Sequence, residues 1–351
     1  MSATAARSCS PLSLPGRWTT PRPSVSASRS RHRRSSSPPL SASAVDATLA
    51  KGRTGDPFSS VWRRRLPLLP ALLYVVAITQ LPFLVSIYYS LTNLKDKTQS
   101  LIPEPTKFVG FDNYKQIFSD SFFRQAMWTS VKMTVLAVVL SLIIGTVFAI
   151  LLDRKFLGQG LVRTLLITPF LLMPVVAALI WKQQMFSSLF GVLNKVLTFV
   201  GFSSVAFISD HPLASIVTVL VWQWTPFMML IMLAGLQSQP TDILEAANVD
   251  GASSVGVFRQ LTLPHLRPYL ELGALLGSIY IVQAFDAIDV MTGGGPGSTN
   301  VPYYVYQESI GGGFRYGSAS AYAIVVVVFS IIIATFALRV LSSLFKDEER
   351  A

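Results

Sequence analysis

Apolar residues fall along this chain in long runs separated by short polar segments. Six runs are long enough to cross a bilayer: roughly 67–91, 130–152, 162–182, 212–236, 268–290 and 321–345. A hydrocarbon core is spanned by about 20 apolar residues in helix. Several runs contain Pro or Gly (Pro82, Gly145, Pro169, Pro174, Pro226), which membrane helices tolerate where neighbours satisfy the freed backbone groups. The pattern predicts an all-α polytopic membrane protein with six transmembrane helices. Six crossings put both termini on one side. Arg63-Arg64-Arg65 before the first run assigns that side to the cytoplasm, because positive charge collects there. Arg154, Lys155 and Arg163 in the second connection and Lys346 after the last run agree. The first outer connection does not. It carries Lys95, Lys97, Lys107, Lys115 and Arg124 among Asp96, Glu104, Asp112 and Asp120.

One polar segment has a helical pattern of its own. It runs from Glu245 to Pro264, between the fourth and fifth apolar runs. Pro240 and Thr241-Asp242 read as a helix start, with Pro in the first turn and an acid facing the positive end of the dipole. Ile243, Leu244 and Ala247 then share one face. Gly251 is placed to end that helix in the left-handed conformation. Ser253-Ser254 start a second short helix carrying Val257, Phe258 and Leu261, which Pro264 is expected to stop. The result is a helix–turn–helix knuckle with an apolar face and the charges Glu245, Asp250 and Arg259. On these residues alone it is either a docking element or a connector lying on the membrane surface.

The segment resembles the EAA loop of ATP-binding-cassette (ABC) importer permeases. That loop reads Glu-Ala-Ala, a Gly six residues after the Glu, then apolar-x-Leu-Pro. Here these are Glu245, Ala246, Ala247, Gly251, Leu261, Leu263 and Pro264, with Leu261 where Ile is more usual. The resemblance implies a cytoplasmic coupling helix seated in a cleft of a separate ATPase subunit, and it makes Asp250 and Phe258 coupling residues as well. Phe108-Val-Gly-Phe-Asp-Asn-Tyr114 resembles a stretch of the carbohydrate permeases and is expected to be an outer-face cap packed by aromatics. Met291-Thr-Gly-Gly-Gly-Pro-Gly297, followed by Tyr303-Tyr304-Val-Tyr306, resembles a second signature of that branch. Physically, this glycine run allows a tight turn with close backbone approach. It lacks the Lys of a phosphate loop, and no other Walker-type sequence occurs.

The resemblance covers about residue 58 to the end and implies the type I ABC importer permease fold. It implies one subunit for sugars or polyols, and the stretch from Tyr316 to Leu344-Phe345 leans towards the polyol and oligosaccharide members. The partners implied are a second homologous permease, an ABC ATPase dimer using ATP and Mg, and an extracytoplasmic solute-binding protein. This chain itself is expected to hold no cofactor. The implied mechanism is alternating access in a bacterial inner membrane.

Composition supports the membrane reading, at 51% hydrophobic and 13% charged over 351 residues. The net charge of +11 is a tail property: residues 1–65 hold 12 Lys/Arg and 2 Asp/Glu, net +10, and the rest 17 and 16, net +1. It therefore points to no nucleic acid. The segment Met1–Pro57 is Ser/Arg/Pro-rich, with no acid before Asp46, and cannot bury a core. It reads as a disordered cytoplasmic extension touching anionic lipid through Arg29-Ser-Arg-His-Arg-Arg34, as an organellar transit peptide, or as the product of a start site placed too far upstream of Val61. The reading adopted is a bacterial protein with a disordered or spurious extension. Phe58–Arg65 suits an interfacial lead-in. The single cysteine, Cys9, excludes an internal disulfide framework.

Polar residues inside apolar runs face a cavity or a partner. The fifth run carries Tyr280, Gln283, Asp286 and Asp289 three apart, on one broad helical face. Amide, carboxylate and phenol groups suit a hydroxyl-rich ligand; the other reading is hydrogen bonding to a partner subunit. Trp222-Gln223-Trp224 before Pro226 offers an aromatic platform through Trp224, with Trp222 suiting an interfacial belt. His211 and His265 read as isolated loop residues. Nothing pairs a nucleophile with a base, and no cluster has metal-ligand spacing. Two other classes fit the apolar runs: an ion- or proton-driven transporter with Asp286 and Asp289 as relay carboxylates, and a non-transporting membrane scaffold. Neither accounts for the knuckle and the glycine run together.

Overall fold

The computed structural model describes residues 69–95 and 105–346. Apart from the first three, these belong to one unit, Leu72–Ala351. The expected extension Met1–Pro57, the lead-in Phe58–Arg65 with its arginine triplet, and Asp96, Lys97 and Glu104 lie outside the described residues.

The first run forms α1 (Leu69–Ser90) and the second α3 (Ser121–Asp153), with the short α2 (Asp112–Ser119) between them. The third run gives α4 (Gln159–Leu171) and α5 (Pro174–Ile180), extended by a π turn over Trp181–Met185. Short helices α6 (Val192–Phe199) and α7 (Phe207–Asp210) lead to α8 (Pro212–Gln237). The polar segment folds as α9 (Thr241–Val249) and α10 (Ser254–Val257). A π turn over Phe258–Thr262 then carries the chain into α11 (Leu263–Ile281). The remainder is α12 (Asp286–Thr292), α13 (Val301–Ser309) and α14 (Tyr316–Lys346).

Helices α1, α3, α8 and α14 are each long and apolar enough to cross a membrane, and two bent pairs bring the total to six among the described residues. The third and fifth runs are the two bent pairs. The axis turns by 102° between α4 and α5, and by 53° between the α10–α11 helix and α12. At the first break the cause is Pro174, whose ring disfavours helical geometry in the residue before it. Met173 lies at ψ 132° and Leu172 at ψ 141°, both extended. The freed Leu172 carbonyl accepts a 3.1 Å hydrogen bond from the buried Gln223 amide of α8. At the second break the Asn300 amide, fully buried, donates to the carbonyl of Ala284. Broken membrane helices persist where neighbouring groups re-satisfy the backbone in this way.

Pro264 does not end the second helix of the knuckle as expected. The helix continues from Ser254 to Ile281. The π turn directly before Pro264 widens the hydrogen-bonding ladder, relieving the usual clash of a proline ring with the carbonyl four residues back.

The core lies where α3 and α11 pack on α8. Gly145 of α3 meets α8 so closely that a β-carbon there would lie 2.9 Å from Met228 Cβ. Met228, Met229 and Met232 are fully buried in this seam, where unbranched side chains fill irregular space.

The stretch Phe108–Tyr114 ties down the end of α1, with the Phe111 and Tyr114 rings 5.9 Å apart and Tyr114 packed on the cluster around Ile117 and Phe123. Phe108 and Phe111 point outward. Hydrogen bonds complete the tie: the Asn113 amide donates to the carbonyls of Ser90 (2.7 Å) and Thr92 (2.9 Å), and the Tyr114 hydroxyl bonds Ser90 Oγ at 2.8 Å. The glycine run forms the tight turn its composition implies. Gly294 sits at φ +68°, and a β-carbon there would fall 2.0 Å from the Tyr303 ring.

Beside this turn, Asp120 begins α3. One of its carboxylate oxygens accepts from the backbone N–H groups of Phe122 (2.8 Å) and Phe123 (3.3 Å). The other accepts from the hydroxyls of Tyr304 and Tyr322. Burial pushes the Asp120 carboxyl up, but these four hydrogen bonds outweigh it and hold the group below its ordinary range. Burial, reinforced by the bond to Asp120, pushes the Tyr304 phenol far above its usual value.

Candidate functional site

Two regions hold the residues singled out from the sequence. The first is the knuckle. α9 carries Glu245, Ala246 and Ala247 and buries none of its residues. Its end is a complete Schellman motif. Gly251 stands at φ +78°, the Ala252 N–H donates to the Ala247 carbonyl at 3.0 Å, and the Gly251 N–H donates to Asn248 at 3.2 Å. Ser253 then caps α10, its Oγ accepting from the Gly256 N–H at 3.2 Å. Glu245, Ala246, Asp250, Gly251 and Pro264 are exposed, while Ala247 and Phe258 are half-buried. Val249 (87% exposed) and Val255 (76% exposed) add apolar surface.

The base of the knuckle is fixed by residues the sequence did not single out for this role. Ser238, after the last residue of α8, bonds through Oγ to His265 Nε2 at 3.0 Å and to the Tyr269 hydroxyl at 2.8 Å, both on α11. His265 Nε2 also lies 3.2 Å from the Gly235 carbonyl. His265 is thus a helix residue clasped to α8, which corrects its reading as an isolated loop residue. The helical continuation through Pro264 placed it there. His211 is exposed at the junction of α7 and α8.

The second region is a cleft of about 340 Å³ between α4, α5, α8 and the broken fifth span. Trp224, Tyr280, Gln283 and Asp286 line it, together with Phe170 and Gln223. Asp289 is exposed and does not line it. The break after Ile281 separates Tyr280 from Asp286 and Asp289, so the four do not share one continuous helix face as expected. Bending around the cleft brings three of them together instead. Trp224 stacks on Tyr280 with ring centroids 5.4 Å apart and planes at 24°, and Phe170 meets the Trp224 edge at 5.6 Å. The Gln283 amide is turned back to the Ile279 carbonyl (2.9 Å). Trp222 lies outside the cleft, edge-on to Trp181 at 5.7 Å. Phe170 and Gln223 went unrecognised because their part depends on the break at Leu172. The walls combine flat aromatic faces with amide and carboxylate groups, a surface suited to the C–H and O–H sides of a polyhydroxylated solute.

A chain of bent and straight membrane helices around a central cleft, with a helical knuckle at one end, is the architecture of a transport permease. Residues 141–344 match the family described as binding-protein-dependent transport system inner membrane component. The chain belongs to this family of ABC transporter permeases. It is a multi-pass membrane protein and not an enzyme, and such permeases have no cofactor of their own. It is 37% identical to the probable ABC transporter permease protein y4oQ of Sinorhizobium fredii, over 76% of this chain and 85% of that one. It is 34% identical to the trehalose/maltose transport system permease protein MalF of Thermococcus litoralis, over 76% of this chain and 90% of that protein. The fold matches a solved bacterial ABC transporter involved in import of the acidic polysaccharide alginate, with a TM-score of 0.66 at 21% identity, covering 81% of this chain and 96% of that one.

Proposed function

We propose that this chain is one of two membrane subunits of an ATP-driven importer for a sugar or polyol. An extracytoplasmic binding protein delivers the solute, which crosses along the cleft lined by Trp224, Tyr280, Gln283 and Asp286. Asp289 stands at the approach to that path. A partner ABC ATPase dimer uses ATP and Mg and drives the cycle through the knuckle. Glu245, Ala246, Ala247, Asp250, Gly251, Phe258 and Pro264 make that contact, on the cytoplasmic face with both termini. The permease domain is residues 58–351, preceded by the extension 1–57.

The observation that carries this reading is the knuckle itself. It is an ordered element with no buried residue in its first helix, yet it is clasped through Ser238, His265 and Tyr269 to α8 and α11, which lead directly to the cleft. A force applied there reaches the cleft along packed helices. α1 supports a second permease, since only Ser90 of its residues is buried and its apolar sides are left for lipid and a partner. The solute class is supported by the cleft's aromatic and amide lining and by the named solutes of relatives such as the trehalose/maltose permease.

The test is uptake of radiolabelled trehalose, maltose and glycerol by proteoliposomes carrying the chain with its co-purified partners. ATP inside the vesicles should drive uptake, and an imposed proton gradient without ATP should not. Uptake that follows the gradient alone would support the ion-coupled class instead.

A further inference from the structure

A second polar cavity, of about 300 Å³, lies beside the glycine turn and shares no lining residue with the cleft. One wall is a single face of α3, where Phe122, Gln125 and Thr129 stand on successive turns. The facing wall is the glycine turn with Thr299, and Tyr304 and Gln307 of α13. The close approach of Gly294 to the Tyr303 ring packs the turn against α13 within that facing wall. No Asp, Glu, Lys, Arg or His lines the cavity.

Thr129 gives the cavity its chemistry. It is 3% exposed, and among the described residues its hydroxyl makes no hydrogen bond. Its neighbours are satisfied: Ser130 Oγ accepts from the Val301 N–H at 2.9 Å, and Thr299 Oγ1 donates to the Gly294 carbonyl at 2.6 Å. Among the described residues the fully buried hydroxyls without a partner are those of Thr134, Ser141 and Thr225; the Thr129 hydroxyl is instead open to the cavity, where a ligand can reach it. A single water would answer the hydroxyl but not the space, which is roughly ten times a water's share of about 30 Å³. It falls at the lower end of ordinary ligand pockets, about 300–1,000 Å³.

We propose that this cavity is a binding site for one ring of an uncharged, hydroxyl-rich ligand, with the Thr129 hydroxyl, open to the cavity and without a protein partner, as its hydrogen-bonding group. Gln125 and Gln307 supply amides at the rim. Phe122 and Tyr304 supply ring faces for the ligand's C–H side. The absence of charge in the lining selects against phosphorylated or carboxylated ligands, whose desolvation nothing there would offset. The site would hold solute at the end of the molecule opposite the knuckle, before the cleft. The choice of ligand class rests on the importer reading; the cavity and the unpaired hydroxyl do not.

The test is equilibrium binding of radiolabelled trehalose, maltose and glycerol to the full chain, purified with its partners into nanodiscs without ATP. Wild type, Thr129→Val and Tyr280→Ala are compared. We expect at least one probe to bind wild type and to bind Thr129→Val about fivefold more weakly, the loss of one neutral hydrogen bond. The thermal midpoint of Thr129→Val should stay at that of wild type, because the substitution keeps the side chain's shape and breaks no hydrogen bond within the protein. Unchanged binding in Thr129→Val, with binding lost in Tyr280→Ala, would overturn the site while leaving the importer reading intact. Failure of every probe to bind wild type would also overturn it. Thr129-dependent binding in a preparation that transports none of the probes would leave the site standing and sink the importer reading.

Discussion

Gly251 stands at φ +78° with open space around its α-carbon. A side chain there meets no steric neighbour, so the whole penalty of a substitution is conformational. For a β-branched residue held left-handed it is roughly 1–2 kcal/mol. Gly251→Val should therefore unwind the Schellman turn without disturbing the spans. Uptake should fall several-fold while the amount of chain in the membrane, measured by immunoblot, stays the same. Equal uptake per inserted molecule would count against a coupling role.

Asp120 offers a test by pH. Its carboxyl is held below the ordinary 3.8 by its hydrogen bonds, against the opposing pull of burial. A carboxyl depressed in the folded state lends stability that is complete above its unfolded value and is lost as pH falls through the lower folded value. The thermal midpoint of wild type should exceed that of Asp120→Asn above about pH 5, and the gap should close as pH is taken below 3.8. A gap that is flat or widens on acidification would contradict this account. The left-handed turn at Gly251 was legible from its place after an apolar helical face. The tie between Asp120, Tyr304 and Tyr322 was not, since it joins residues some 200 positions apart.

The elements follow the apolar pattern where one helix makes one crossing. α1 and α8 match their runs within a few residues. α3 begins at Ser121 because Asp120 caps a turn of mixed polarity, which an apolar count does not register. The two bent spans depart from the pattern for a physical reason. A break in a membrane helix persists where a neighbour can answer the freed carbonyl, and Gln223 and Asn300 do so from other elements. Pro174 breaks its span, whereas Pro226 and Pro268 lie inside helices. Gln223→Leu should leave the Leu172 carbonyl unanswered, at a cost of about 1–3 kcal/mol. The purified protein's thermal midpoint should drop and the cleft lining should loosen. An unchanged midpoint would show that the break does not rely on Gln223. The cleft was half legible for the same reason: its polar residues were visible by type, but their convergence depends on two bends that hydrophobic periodicity does not encode.

For the whole molecule, the membrane architecture and the family were readable in the sequence because the apolar runs and the knuckle's spacing are both local patterns. How the knuckle is tied to the cleft was not, because the clasp of Ser238 with His265 and Tyr269 forms only when α8 and α11 meet. In the proposed function that clasp lets the knuckle act as a lever on the cleft, driven by a partner ATPase. The most direct test is purification from native membranes in mild detergent, with bound partners identified by mass spectrometry. An ABC ATPase and a second six-span permease should co-purify with this chain, and the ATPase should be lost or weakened in Gly251→Val. Recovery of this chain alone, under conditions that keep another ABC importer of the same membranes intact, would contradict the account.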